Sequence, residues 1–224
     1  MKMNIIQRHL STDTAFCRAL VGCGFLSEGQ MQRAARRYSL GRSQDGGVIF
    51  WQIDETGEPR DGKIMYYRAD CHRDKTRHPT WVTARLQQHY GYDGGLSGEK
   101  CLFGLHLLGD GEMKDRNNAE AVAIVEAEKT AIICSELFPQ YLWMAAGGLS
   151  MLTARKLLPL CDRRVILFPD TDPEGTAYSG WKAVADEASR RFLSPAYVSP
   201  LLELRATPEQ KQRKIDIADF IFET

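Results

Sequence analysis

The sequence Arg164-Val165-Ile166-Leu167-Phe168-Pro169-Asp170-Thr171-Asp172-Pro173-Glu174-Gly175 changes character in its middle. Residues 165–168 form a short, unbroken apolar run, which suits a strand buried on both faces of a parallel sheet. The run stops at two aspartates followed by Pro173 and Gly175, which are turn residues. Two carboxylates therefore stand at the carboxyl end of a buried strand, where open α/β sheets bind ligands. Taken alone, Asp-Thr-Asp reads first as an acidic turn capping the next helix. Partners elsewhere in the chain decide between the two.

Working outward, residues 121–125 form a second buried-type strand, ending in Glu126. Residues 128–137 read as a helix with Ala131, Ile132 and Cys134 toward the sheet. A strand at 141–146 closes on Gly147-Gly148, a helix is expected at 150–158, and a long helix at 174–192. Strand alternating with helix at these lengths implies right-handed crossovers and a parallel sheet. The tail runs Lys214-Ile215-Asp216-Ile217-Ala218-Asp219-Phe220-Ile221, with two more acids at a short helix. Glu126 then lies at the same sheet edge as Asp170 and Asp172, on strands spaced ~4.8 Å when adjacent. Hard oxygen ligands of this kind suit Mg²⁺ or Mn²⁺, which recruit phosphate oxygens. Such a site serves in-line displacement at phosphorus, and a Glu set apart from the ion can move a proton.

Upstream the pattern differs. Residues 4–20 and 27–38 read as helices, the second opened by Ser27 and Gln30 as a capping box, with Met31, Ala34 and Ala35 on one face. Arg33, Arg36 and Arg37 occupy the other. Residues 48–53 and 63–68 read as an antiparallel hairpin joined by a polar loop at 54–62. Arg68, Arg73, Lys75, Arg77 and Arg85 follow, interleaved with Tyr66, Tyr67 and Trp81. Basic residues mixed with aromatics are what a single-strand groove needs, although a hairpin also packs aromatics on its core. Residues 90–100 read as a Gly-rich loop, and 110–120 as a polar boundary between two parts of the chain.

Composition narrows the classes. The chain holds 29 basic and 29 acidic residues, so nucleic-acid contact must come from local patches. Residues 1–120 hold 17 basic and 15 acidic residues, and residues 121–224 hold 12 and 14. The six cysteines show no Cys-x-x-Cys spacing, which argues for reduced thiols and against a zinc knuckle. No apolar leader or ~20-residue apolar run is present, so a soluble, cytoplasmic protein with no membrane partner is expected. A Walker-type phosphate loop is also missing, which excludes a helicase.

Val125-Glu126-Ala127-Glu128-Lys129-Thr130-Ala131, together with Asp170-Thr171-Asp172-Pro173-Glu174-Gly175, resembles the toprim domain, the topoisomerase–primase fold. In that family a Glu ends the first strand, an Asp-x-Asp ends the third, and a glycine follows the second, as Gly147-Gly148 does here. Asp216-Ile217-Ala218-Asp219-Phe220 is similar to the acidic segment after toprim in bacterial replicative primases. Phe25-Leu26-Ser27-Glu28 through Tyr38-Ser39-Leu40-Gly41 resembles the helical opening of the primase catalytic core. Gly47-Val48-Ile49-Phe50 with the strand at 63–68 is similar to its basic β-subdomain, and Leu102-Phe103-Gly104-Leu105 to the motif preceding toprim. The Glu-x-Glu-Lys-Thr variant resembles toprim-like proteins of bacterial mobile elements. Ala127 stands where primases usually have Gly, and Thr130 where many have Asp.

The resemblance implies an α/β fold: a toprim-type parallel sheet flanked by helices, preceded by a smaller α+β subdomain with an antiparallel hairpin. The expected division is 1–118, primase-core-like, and 119–224, toprim. It implies primase-like nucleotidyl transfer, RNA primer synthesis for the replication of a mobile element. Mg²⁺ or Mn²⁺ would be held by Glu126, Asp170 and Asp172, with Asp216 and Asp219 as further candidates. Lys129, Arg68, Arg73, Lys75, Arg77, Arg36 and Arg37 are candidates for nucleic-acid or phosphate contact. Single-stranded DNA, nucleoside triphosphates and a helicase or other replication protein are the implied partners. Two other readings stand beside this one: a metal-dependent nuclease whose carboxylates activate water, and a non-catalytic module binding DNA or a replication partner. A topoisomerase needs a nucleophilic Tyr in a separate large domain. An aspartate-nucleophile phosphatase needs more chain after its motif than the roughly fifty residues that follow Asp172.

Overall fold

In the computed structural model, which describes residues 3–109 and 121–223, contacts gather the chain into two units, Met1–Asp110 and Gly111–Thr224. The polar stretch expected to separate two parts of the chain lies outside the described residues.

The first unit begins with α1 (Met3–His9) and α2 (Ala15–Gly22), where one continuous helix was expected. The polar run Ser11–Thr14 breaks it: the Thr14 side chain accepts the Cys17 N–H at 3.1 Å and caps α2. The predicted capping box is present on α3 (Glu28–Arg37), with Ser27 and Gln30 bonding each other's backbone N–H, and Met31, Ala34 and Ala35 are buried. A four-stranded antiparallel sheet follows, in the order β1 (Gly41–Arg42), β2 (Val48–Ile53), β3 (Pro59–Met65), β4 (Thr80–Trp81). The hairpin is antiparallel as expected, but its second strand starts four residues early and stops at Met65. Pro is tolerated as the first residue of a strand. Helix α4 (Val82–Tyr90), absent from the sequence reading, packs on β3.

Every residue of β2 is buried, because both faces of its sheet are covered. Ile49, Trp51 and Ile53 join Ile6, Ile64, Tyr66 and Val82 on one side. On the other, Phe50 packs edge-on against Phe16 at 5.2 Å and Phe103 at 5.6 Å. Gly62 is where this core tolerates no side chain. A Cβ there would lie 2.7 Å from Ile49, 2.8 Å from Val82 and 2.9 Å from Trp51.

The second unit is built on a parallel sheet in the order β6 (Leu142–Ala145), β5 (Val122–Val125), β7 (Val165–Phe168), β8 (Ala196–Val198). The first three strands are the predicted ones, and β8 is an addition. The expected helix at 128–137 is α5 (Glu128–Leu137), and the long one is α6 (Thr176–Phe192). The helix expected at 150–158 is instead two 3₁₀ segments, Leu149–Met151 and Ala154–Leu160, interrupted by extended Leu152 and carrying Pro159. Short helices α7 (Leu201–Arg205), α8 (Pro208–Arg213) and α9 (Ile217–Glu223) complete the unit. Right-handed crossovers put α5 on one face of the sheet and α6 on the other. The packing agrees: α9 contacts α5, and Ala154–Leu160 contacts α6. No helix among the described residues is long and apolar enough to cross a membrane.

Gly62→Ala is expected to destabilise the first unit by about 1–3 kcal/mol, the usual cost of overpacking a core. Urea unfolding measures it; an unchanged midpoint would contradict the packing described for β2 and β3.

Candidate functional site

Strands β5 and β7 are neighbours with Val125 opposite Phe168, so Glu126 and Asp170 leave adjacent strand ends. The chain leaves β5 toward β6 but leaves β7 toward β8. Loops diverging from two adjacent strands open a crevice between them, the topological switch point at which such sheets bind ligands. A cleft of about 240 Å³ lies there, lined by Glu126, Asp170, Thr171, Asp172, Leu149 and Lys214 among others. Glu126 Oε1 accepts the Asp170 N–H at 3.3 Å, which links the two ends directly. The Glu126 carbonyl accepts the Gly147 N–H at 2.9 Å, and Gly147 has φ 93°, which explains a glycine after β6.

The three acids differ in what they touch. Asp172 Oδ1 accepts the N–H groups of Glu174 at 3.0 Å and Thr176 at 3.1 Å, and Oδ2 that of Ala177 at 2.8 Å. Burial works against its charge, but these donors outweigh it and hold the carboxyl below its ordinary range. Asp172 thus caps α6, and that helix start offers its first donors to no other anion. Asp170 Oδ1 is buried with no hydrogen-bond partner among the described residues. Burial, and then the charges of Glu126, Asp216 and Asp219, push the Asp170 carboxyl well up, against Lys129. Glu126, 9 % exposed, is pushed up to about 7 by burial first and by Asp172 and Asp216 after it.

The tail brings in Asp216 and Asp219 beside α5. Asp216 Oδ2 accepts the Thr130 hydroxyl at 2.5 Å and so ties the tail to α5, while Oδ1 accepts the Asp219 N–H at 2.8 Å at the start of α9. Burial and then Asp216 raise the Asp219 carboxyl, opposed by Lys129 at 3.7 Å. Lys129 is therefore turned to Asp219. Lys214 was not singled out from the sequence. It is exposed, lines the cleft, and holds a left-handed backbone at φ 55° as the cap of α8. Only the return of the tail to the sheet edge brings it there.

Among the described residues, no group of three or more His, Cys, Asp or Glu side chains is arranged to hold a metal ion. The three-carboxylate site thus reduces to a pair. That pair still fits a hard cation: the Asp170 oxygen lacks a partner, both carboxyls resist ionisation without a counter-charge, and Mg²⁺ commonly takes one or two protein carboxylates plus phosphate oxygens.

The basic residues of the first unit are less available than their sequence implied. Arg77 and Arg85 both bond Asp45, at 2.8 and 2.9 Å, and Arg68 bonds Asp70 at 2.5 Å. Tyr66 is buried, donates its hydroxyl to Asp45 at 2.7 Å and carries the Arg77 guanidinium 3.5 Å above its ring. Trp81 lies under Lys100 at 3.7 Å, and Tyr67 packs on Phe16 at 4.7 Å. Of the two readings open for these aromatics, Tyr66 is buried and bonded within the hairpin, while Tyr67 and Trp81 are half-buried against Phe16 and Lys100. Arg73, Lys75 and Arg36 are exposed, and Arg37 is half-buried.

The fold is that of primase catalytic cores. The DnaG primase catalytic domain bound to ssDNA is similar over 99% of this chain and 80% of its own, at 12% identity and TM-score 0.55. The Escherichia coli primase catalytic core is similar over 99% and 82%, at 13% identity and TM-score 0.53. This chain spans 65% of the Aquifex aeolicus primase fragment with zinc-binding and RNA polymerase domains, at 13% identity, 97% of its own length and TM-score 0.49. No curated protein matches the chain by sequence. The chain belongs to the family described as a domain of unknown function, DUF6371, whose profile matches residues 15–171.

The Glu126 carboxyl sets a pH dependence. Raised from its ordinary 4.5 to about 7, it holds a proton in the folded state that the unfolded chain has released. Its stabilising contribution is complete below about 4.5 and is lost as pH rises through about 7. Without metal, the melting temperature should fall by several degrees from pH 5 to pH 8. Glu126→Gln should make that slope shallower, leaving the part that the buried Asp170 carboxyl contributes. A wild-type profile as flat as the variant's would contradict the electrostatics of the pair.

Proposed function

We propose that this protein is a primase-like, metal-dependent nucleotidyltransferase that makes RNA primers on a nucleic-acid template for the replication of a mobile element. Its second unit is the toprim domain of the reading, and its first the primase-core-like part. The observation that carries the reading is the Glu126–Asp170 pair at a switch-point crevice, with a buried, unpartnered Asp170 oxygen, in a chain of primase-core fold. The DnaG catalytic domain bound to ssDNA adds support for a single-stranded template.

Glu126 and Asp170 would hold Mg²⁺ or Mn²⁺, which when bound neutralises charge on a transferring phosphoryl group. Asp172 keeps the turn attached to α6 and is a ligand only through lone pairs its backbone donors leave free. Lys214 supplies the positive side chain along the cleft for the triphosphate of a nucleotide. Exposed Arg73, Lys75 and Arg36 are the basic side chains left for the template backbone. In the reaction a 3′-hydroxyl oxygen bonds to the α-phosphorus of a nucleoside triphosphate. The bond from that phosphorus to pyrophosphate breaks, and the hydroxyl proton passes to solvent.

Incubation with single-stranded DNA, labelled NTPs and Mg²⁺ or Mn²⁺ tests this. Short RNA products are expected, with Glu126→Gln and Asp170→Asn lowering synthesis at least about 100-fold. Lys214→Ala should raise KM for NTP more than it lowers kcat. Template cleavage without synthesis would move the assignment to a nuclease, and DNA binding with neither product to a binding module.

A further inference from the structure

Thr171 stands between the two aspartates of the turn and lines the cleft beside Glu126, Thr176 and Ala177. It is nearly fully buried, at 1 % exposure, and both of its polar handles are taken by the tail. The Thr171 N–H donates to the Ile215 carbonyl at 3.0 Å. Its hydroxyl donates to Glu203 Oε1 at 3.2 Å, from α7. Glu203 is in turn held by Lys211 of α8, whose Nζ bonds Oε2 at 3.2 Å and the Glu203 carbonyl at 3.0 Å. Gly175, with φ 65°, has no side chain on this side, and a Cβ there would stand 3.6 Å from Glu203 Oε2.

These contacts have no role in capping α6, which Asp172 performs with its own oxygens. Nor do they serve the apolar core: a buried threonine hydroxyl and a half-buried ion pair are a costly way to fill space. What they fix is the orientation of one residue whose two neighbours are the candidate acids. A turn held at both ends but free in its middle can rotate its peptide planes. Here the middle is held by a backbone and a side-chain bond from a segment about 30–45 residues further along the chain.

We propose that Glu203, braced by Lys211, is a positioning residue. Through the Thr171 hydroxyl it orients Asp170 so that its free oxygen faces Glu126 across the crevice. Residues that orient ligands through hydrogen bonds typically affect metal affinity 10–100-fold when lost. The inference rests on the metal-site reading of Glu126 and Asp170, and the test separates the two.

Mn²⁺ affinity is measured by titration calorimetry on the full chain for wild type, Thr171→Val, Thr171→Ser and Glu203→Gln, alongside amide hydrogen exchange at residues 170–172 without metal. Thr171→Val keeps the shape and removes the hydroxyl, and Thr171→Ser keeps the hydroxyl. Affinity about tenfold weaker in Thr171→Val and Glu203→Gln, near wild type in Thr171→Ser, with faster exchange in the first two, is the expected result. In primer synthesis kcat should fall with KM for NTP unchanged. Equal Mn²⁺ affinity and equal exchange in all four proteins would overturn the proposal. If wild type binds no Mn²⁺, the metal reading fails. Exchange then decides alone: faster in Thr171→Val and Glu203→Gln upholds the positioning contact, and unchanged exchange removes it. Where Thr171→Val fails to fold, the Glu203→Gln comparison carries the same decision.

Discussion

Two carboxylates are forced together by strand register. Val125 opposite Phe168 leaves Glu126 and Asp170 no choice but to emerge side by side at one sheet edge, with Glu126 and the Asp170 Oδ1 withdrawn from water. An ionised carboxylate taken out of water costs several kcal/mol unless it is paired. A typical hydrogen bond returns about 1 kcal/mol, somewhat more when it meets a charge. Asp172 has three backbone donors and stays ionised. Glu126 has one, at 3.3 Å, and Asp170 Oδ1 has none among the described residues. For these two, protonation or a bound cation is the favourable outcome, and their raised carboxyls express that balance.

The rest of the second unit serves this edge. Strand β5 is central in the sheet and buried along its whole length, so Glu126 is carried by rigid scaffold. Helix α5 is enclosed by sheet and tail, with Thr130 fully buried and bonded to Asp216. The tail is therefore tied down twice, to Thr130 of α5 and to Thr171 beside the crevice. Where a carboxylate at position 130 would have repelled Asp216, a hydroxyl donates to it. Asp216 and Asp219 are tied to each other at the start of α9.

The parts of this architecture that are local in sequence were readable there. Unbroken apolar runs ending in acids announced β5 and β7, and the Ser27–Gln30 pair announced α3, because strand burial and capping depend on near neighbours. Elements set by competition or by distant partners were not readable. Ser11–Thr14 offered the backbone an alternative to helix, and Thr14 won. Pro159 and the extended Leu152 turned an expected helix into 3₁₀ segments. Strand β8, three residues long with Tyr197 exposed, has no alternation to read. The site divides in the same way: Glu126 and Asp170 were legible as strand ends. The capping duty of Asp172 was the alternative reading of the same turn, and both readings describe part of it. Lys214 and Glu203 reach the crevice only through folds of the tail. Whether Tyr66 stacked or packed could not be read from sequence, because its bond to Asp45 spans 21 residues.

The central claim is that the strand-end pair binds a divalent cation. A crystal of the protein soaked in Mn²⁺ and measured at the manganese absorption edge tests it most directly. The account predicts an anomalous peak within bonding distance of a Glu126 oxygen and of Asp170 Oδ1, absent from Asp170→Asn crystals. A featureless crevice, with both carboxylates as they stand without metal, would contradict it.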